Sequence, residues 1–116
     1  MQERVAPTDR PLADLALDAA PGAIVVLDDQ TRVMLWNAGA EEVFGYSASE
    51  ALDCPLDDLV QAGGAHAGRD SAVAFERARM GQTVLRERIC RRSDGLLVHI
   101  NESLRCRRGA GGAMHF

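Results

Sequence analysis

In "VHINESLRC", residues 98–106, Val98, Ile100, Leu104 and Cys106 share one face of an alternating segment, and Glu102 occupies the middle of that face. A lone inward carboxylate costs several kcal/mol, on the order of the net stability of a small domain, so it calls for a counter-charge or a ligand. Arg86 and Arg88, in the preceding segment "VLRERICRR", are the cations within reach of sequence pairing. Other reactive types are sparse. Cys54, Cys90 and Cys106 have no CxxC spacing and are odd in number, which argues against a zinc knuckle or a disulfide framework and makes them small apolar fillers. His66 lies in a Gly-rich loop, while His99 and His115 belong to strand-like segments where a solvent-facing imidazole is ordinary.

Hydrolytic and transfer chemistry finds no support. The glycine stretches "AGGAHAG" and "GAGG" lack the strand-to-helix context of a phosphate loop, no nucleophile elbow is present, and no histidines have metal-ligand spacing. Ser103, beside Glu102, points to the opposite face of the strand. No catalytic residue and no metal site is expected within these residues.

The chain of 116 residues has room for one domain with a modest core, and its 47% apolar and 26% charged content is that of a globular chain. The longest apolar run is Ala23 to Leu27 and the opening "MQERVAPTDR" is polar, so neither a membrane span nor a signal peptide is expected, and the cytoplasm is the default location. The net charge of −4 conceals an asymmetry. Through Val60 the chain carries twelve acids and three arginines; from Gln61 onward it carries five acids and ten arginines. Those arginines have no aromatic interleaving and are spread along strand-like segments, which fits a solvated sheet face and not nucleic acid.

The positioning elements follow from caps and turns. "LADLALDAA", residues 12–20, puts Leu12, Leu15, Ala16 and Ala19 on one side of a short flanking helix. "AIVVLDDQTRVMLWN" is a hairpin with a polar turn at Asp28 to Thr31. Asn37 caps a two-turn helix from Ala38 to Phe44 that Gly45 stops, Ser47 with Glu50 forms a capping box, and Pro55 opens a turn over "PLDDLV". Asp70 or Ser71 caps a longer helix, "SAVAFERARM", ended by Gly81. Two long strands, Thr83 to Arg92 and Leu96 to Arg107, join at Ser93-Asp94-Gly95, and "AMHF" starts a further strand. The order is α+β with segregated helices.

The segment "RVMLWNAGAEEVFGYSASEALDCPLDDLV" resembles the PAS pattern of a strand, Asn, Ala-x-x-x-x-Phe-Gly-Tyr, then Glu and a Pro-led turn, and "RRSDGLLVHINESL" is similar to the Asp-Gly hairpin of that family. The resemblance covers about residues 12 to 116. It implies a PAS fold: a five-stranded antiparallel sheet with short helices on one face and an N-terminal flanking helix, the last strand truncated. The expected organisation is a flexible segment over 1–10 and one PAS domain over 11–116. Within it lie the flanking helix (11–20), a first hairpin (23–36), a helical segment (38–80), a long hairpin (83–107) and the start of the last strand (113–116). PAS modules are sensory or dimerising units attached to histidine kinases, diguanylate cyclases and phosphodiesterases, or transcription regulators, so the chain is expected to be an N-terminal piece of a longer signalling protein. The rival is a module used only for interaction, its cavity filled by its own side chains.

The residues name no cofactor, and none is expected. The flavin-adduct branch needs a reactive cysteine within Gly-Arg-Asn-Cys; here "LDCPLDD" puts Cys54 about two positions early and Leu56 where the thiol would be. A heme sensor needs an axial histidine on the long helix, which has none between Ser71 and Met80, leaving His66 as the ligand of the heme alternative.

Two hairpin registers compete. A two-residue Asp94-Gly95 turn pairs Glu102 with Glu87, Ile100 with Ile89 and Leu104 with Leu85, tidy in hydrophobic pattern but with two carboxylates side by side. A three-residue Ser93-Asp94-Gly95 loop with Gly95 left-handed pairs Glu102 with Arg86, Ile100 with Arg88 and Leu104 with Val84. Opposite charges favour the second. The expected ligand pocket is drawn from Phe44, Leu59, Phe75, Arg86, Arg88, Val98, Ile100, Glu102 and Leu104. The expected partners are a small molecule and a second copy, the latter through Leu12, Leu15 and Ala16 of the flanking helix or through Trp36 on the outer sheet face.

Overall fold

The structure, a computed structural model, describes residues 12, 15–61, 67–108 and 114–115. The expected flexible segment over 1–10, most of the Gly-rich connection with His66, and the "GAGG" loop lie outside the described residues. A helical stretch over residues 15–19 (α1) precedes a hairpin of β1 (Val25–Leu27) and β2 (Val33–Trp36). Helices α2 (Ala38–Phe44), α3 (Ala48–Ala51), α4 (Leu56–Val60) and α5 (Ala67–Arg79) follow, then β3 (Val84–Arg91), β4 (Leu97–Leu104), β5 (Arg107–Arg108) and β6 (Met114–His115).

Asn37 does more than cap. Its Oδ1 accepts from Ala40 N at 2.9 Å and from Ile24 N at 2.8 Å, while its Nδ2 donates to the carbonyls of Leu17 (2.8 Å) and Gly22 (3.0 Å). One side chain, only 2% exposed, thus fastens α1, the chain entering β1 and the start of α2 together. Asp18 on α1 adds a second acceptor at the same helix end, taking the Ala38 N–H at 2.9 Å. Gly39 is required by this closeness, since a Cβ there would fall on the Gly22 carbonyl oxygen. At the other end of α2, Gly45 adopts φ 81° and its N–H bonds back to the Glu41 carbonyl at 2.8 Å.

Ser47 and Glu50 form the expected capping box, and Arg32 and Val33 pair with the turn that follows α3: Val33 N donates to Cys54 O and Asp53 N to Val33 O, each at 2.9 Å. This return of chain along β2 explains a departure from the expected alternation. Val33 and Trp36 are both buried, whereas Met34 is exposed, and the β1–β2 register slips by a bulge between Val26 and Leu27. Trp36 is therefore not an outer dimer residue. It is 5% exposed, its Nε1 donates to the Tyr46 carbonyl at 2.9 Å, and its ring meets Phe44 at 5.4 Å.

Helix α5 begins at Ala67, four residues ahead of the expected Ser71, with Asp70 inside the first turn where it complements the helix dipole, and Ser71 buried. The β3–β4 ladder has the three-residue loop: Arg92 N donates to Leu96 O at 2.8 Å, Gly95 has φ 88°, and Asp94 Oδ1 accepts from Leu96 N. The loop is pinned to α2. Arg92 Nη1 donates to the carbonyls of Glu42 (2.6 Å) and Val43 (2.8 Å), and Ser93 bonds to Phe44 and Gly45 through its N–H and hydroxyl.

The sheet differs from one five-stranded unit. Among the described residues the strands pair as three two-stranded ladders, β1–β2, β3–β4 and β5–β6. The expected strand from Leu96 to Arg107 breaks at Arg105 and Cys106, and the final two described residues pair back onto Arg107–Arg108 in place of bridging the two longer hairpins.

Asn37→Ala leaves backbone groups in three segments without their partner, the Ala40 N–H among them buried, and should lower unfolding free energy by about 3 kcal/mol in urea titration. The Asp94 carboxyl is held below the usual carboxylate range, first by the Leu96 N–H and also by Arg92. Its contribution is present above the ordinary Asp range and lost as pH falls through its lowered value, so Asp94→Asn should show a smaller loss of thermal stability between about pH 5 and pH 2 than the native chain.

Candidate functional site

The register puts Arg86 opposite Glu102, Arg88 opposite Ile100, Cys90 opposite Val98 and Val84 opposite Leu104, so these side chains turn to the same inner face. Glu102 is held by both arginines. Arg86 Nε donates to its Oε2 at 2.6 Å and Arg88 Nη1 to its Oε1 at 3.1 Å, with side-chain exposures of 18% for Arg86 and Glu102 and 12% for Arg88. The other terminal nitrogen of Arg88 reaches Asp57 Oδ1 on α4 at 3.4 Å, where the acid is 30% exposed. Among the described residues, two buried side-chain polar atoms have no hydrogen-bond partner: Arg86 Nη2 and Gln61 Oε1.

A cavity of about 400 Å³ opens beside this cluster. Six of the expected pocket residues line it: Phe44, Phe75, Arg88, Ile100, Glu102 and Leu104. Three do not. Arg86 stands behind Glu102, Leu59 packs against the core and offers its carbonyl to the Tyr46 hydroxyl, and Val98 sits toward the loop end of the ladder. The lining residues outside the expected set include Val25 and Leu27 of β1, Val43 of α2, Leu56 and Val60 of α4, Cys90 of β3, and Asn101 and Ser103 of β4. Their signals existed as an i, i+2 pair on a strand and an i, i+4 pair on a helix, but nothing in the sequence said which faces converge. All six residues from Ile100 to Arg105 border the cavity, so it reaches an edge of β4 as well as its inner face.

Cys90, fully buried on the cavity wall, is the other reactive type here. Burial raises its thiol pKa above the usual range, and Glu102 and Asp57 add to that against the opposing pull of Arg88 and Arg86, so it is a neutral wall residue and no nucleophile. Burial works to lower the Arg88 pKa, but the negative charge around it, with the Glu102 and Asp57 carboxylates in place, leaves the guanidinium above its ordinary range. Cys54 lies away from the cavity, its Sγ directed to the Glu50 carbonyl at 3.5 Å. His66 lies outside the described residues, and His99 is exposed on the outer face, 3.3 Å from Glu87. Among the described residues no three His, Cys, Asp or Glu side chains gather to hold a metal, and no helix is long and apolar enough to cross a membrane.

Exposed apolar side chains among the described residues include two groups. Leu12, Leu15 and Ala16 are exposed in the flanking helical stretch, and Leu85, 75% exposed, shares the outer face of the long hairpin with Ile89 and Leu97.

The family model described as the PAS fold matches residues 13–116. Among solved structures, the chain is similar to the PAS domain of a protein from Colwellia psychrerythraea, with TM-score 0.75 and 24% identity over 90% of this chain and 91% of that one. A PAS domain from a two-component sensor histidine kinase gives TM-score 0.75 and 17% identity over 95% and 93% of the two chains. The PAS domain of nitrogen regulation protein NR(II) from Vibrio parahaemolyticus gives 0.71 and 21% over 90% and 92%. At these identities the likeness is one of fold. No curated protein sequence gives a significant match.

Removing Glu102 leaves two buried guanidiniums facing each other, so Glu102→Leu should destabilise by about 2 kcal/mol, with the double variant Arg86→Leu/Glu102→Leu recovering most of it. A double-mutant cycle by urea unfolding measures both.

Proposed function

The chain belongs to the PAS family, and from that premise we propose that it is a non-catalytic sensory module that binds a small molecule in the cavity between β1, α2, α4, α5, β3 and β4. In this reading residues 11–116 act as a single unit of a longer, cytoplasmic signalling protein, whose output is a histidine kinase, a cyclic-di-GMP enzyme or a transcription regulator. The observation that carries it is the cavity itself: about 400 Å³ with a largely apolar wall and a few charged groups, a size and composition suited to a small organic ligand. Phe44, Phe75, Ile100 and Leu104 would contact the ligand's apolar body, and Arg88 and Glu102 its polar part. Regulation then requires that ligand-bound and ligand-free packings differ in affinity, transmitted through the chain that leaves β4.

A second reading, a pure dimerisation module, draws support from the exposed apolar residues Leu85, Ile89 and Leu97 on the hairpin and Leu12, Leu15 and Ala16 on the flanking helix. The two can coexist, since these faces lie apart from the cavity wall.

Native mass spectrometry of the freshly purified chain separates them. The sensory reading expects a non-covalent organic adduct that Ile100→Trp, filling the cavity, eliminates without altering the circular dichroism spectrum. Absence of any adduct, together with no thermal stabilisation by a library of small organic metabolites, would leave dimerisation as the function. A Soret band or a flavin spectrum in the same sample would select the heme or flavin alternative.

A further inference from the structure

The polar part of the cavity wall holds one guanidinium whose pairing is incomplete, and this names a ligand class. Arg88 and Glu102 line the cavity, while Arg86 grips Glu102 from outside the lining. Arg88 Nη1 donates to Glu102 at 3.1 Å, but its other terminal nitrogen reaches its second acid, Asp57, only at 3.4 Å. A purely apolar ligand would leave that long contact as it is; one that brings a carboxylate would offer Arg88 a closer, charge-assisted partner.

Resting on the ligand-binding reading above, we infer that the cavity takes a small organic carboxylate with an apolar body, whose head group replaces Asp57 on Arg88. Asp57 is the exchangeable partner for three reasons visible in the geometry. It makes the longest of the contacts to Arg88, it is the most exposed acid of the cluster, and it sits on α4, a different element from the β3–β4 ladder that holds Glu102. Once displaced it turns to water, whereas displacing Glu102 would strand a carboxylate between Arg86 and the apolar wall. The body of the ligand then lies along Val25, Leu27, Val43 and Phe44, and its arrival frees the α4 carboxylate that joins this helix to β3.

Phenylbutyrate and its uncharged counterpart phenylbutanol test this. The ring of Trp36, the chain's single tryptophan, lies 5.4 Å from that of Phe44 on the cavity wall, so its fluorescence reports occupancy, with calorimetry as a second readout. Phenylbutyrate should bind at least about tenfold more tightly than phenylbutanol, since only the acid makes charge-assisted bonds to Arg88. Asp57→Asn, which removes the competing charge, should tighten phenylbutyrate about fivefold and leave phenylbutanol unchanged, while Arg88→Gln should abolish the preference for the acid. Equal or tighter binding of the alcohol, or weaker binding of the acid to Asp57→Asn, overturns the carboxylate assignment while keeping a ligand-binding cavity. If neither probe binds the native chain or Asp57→Asn, the carboxylate assignment falls, while the native mass spectrum and the metabolite library decide the ligand-binding reading separately. The Asp57 variant carries the test even if Arg88→Gln fails to fold.

Discussion

Four hydrogen bonds from the Asn37 side chain are the constraint on which the remaining geometry depends. A carboxamide has two donors and two acceptor lone pairs, and here every one is spent on backbone from a different turn of the chain: Leu17, Gly22, Ile24 and Ala40. No other side-chain type of that size offers two donors together with a carbonyl acceptor. The result fixes β1 against the start of α2 closely enough that Gly39 has no space for a side chain. Since Val25 and Leu27 lie on β1 and Val43 and Phe44 on α2, the same four bonds set the separation of two cavity walls.

The opposite wall obeys a different logic. Arg86, Arg88 and Glu102 are held by charge pairing across neighbouring strands, and pairs of this kind return little net stability because the desolvation of each ion nearly cancels their attraction. What they confer is specificity of register. A slip to the two-residue turn would replace an Arg–Glu contact by two facing glutamates, so the charges exclude the alternative even though the apolar alternation would tolerate it. An energetically neutral cluster thereby decides which side chains face the cavity.

Local chemistry was legible in the sequence wherever one residue acts on its own few neighbours. The Asn37 cap, the Ser47–Glu50 box, the left-handed Gly45 and Gly95 and the three-residue loop all rest on contacts within a turn, and the loop carried the Arg86–Glu102 pairing with it. What depends on the return of distant chain was not legible. Trp36 looks outward by alternation, yet the segment at Asp53 and Cys54 covers that strand and a bulge alters the register, turning the indole inward. Helix α5 extends back to Ala67 because Asp70 serves in its first turn and not as its cap. Leu59 was the plausible pocket residue of α4, but the rotation of that short helix presents Leu56 and Val60 instead. The long-range reach of Arg92 to α2, fifty residues away from Glu42, leaves no trace in any local pattern.

That reach makes the long hairpin a lever. Its loop is fastened by hydrogen bonds from Arg92 and Ser93 to the carboxyl end of α2, while its other end, at Val84 and Leu104, is held by apolar packing in the core and leads toward β5. Eight residues of strand extend roughly 25 Å from fulcrum to far end, so a tilt of about 5° at the loop displaces Leu104 by about 2 Å. Arg88 and Ile100 lie midway along the arm. In the ligand-binding reading, a displacement of about 1 Å at these two residues becomes about 2 Å at Leu104, where the chain turns toward β5.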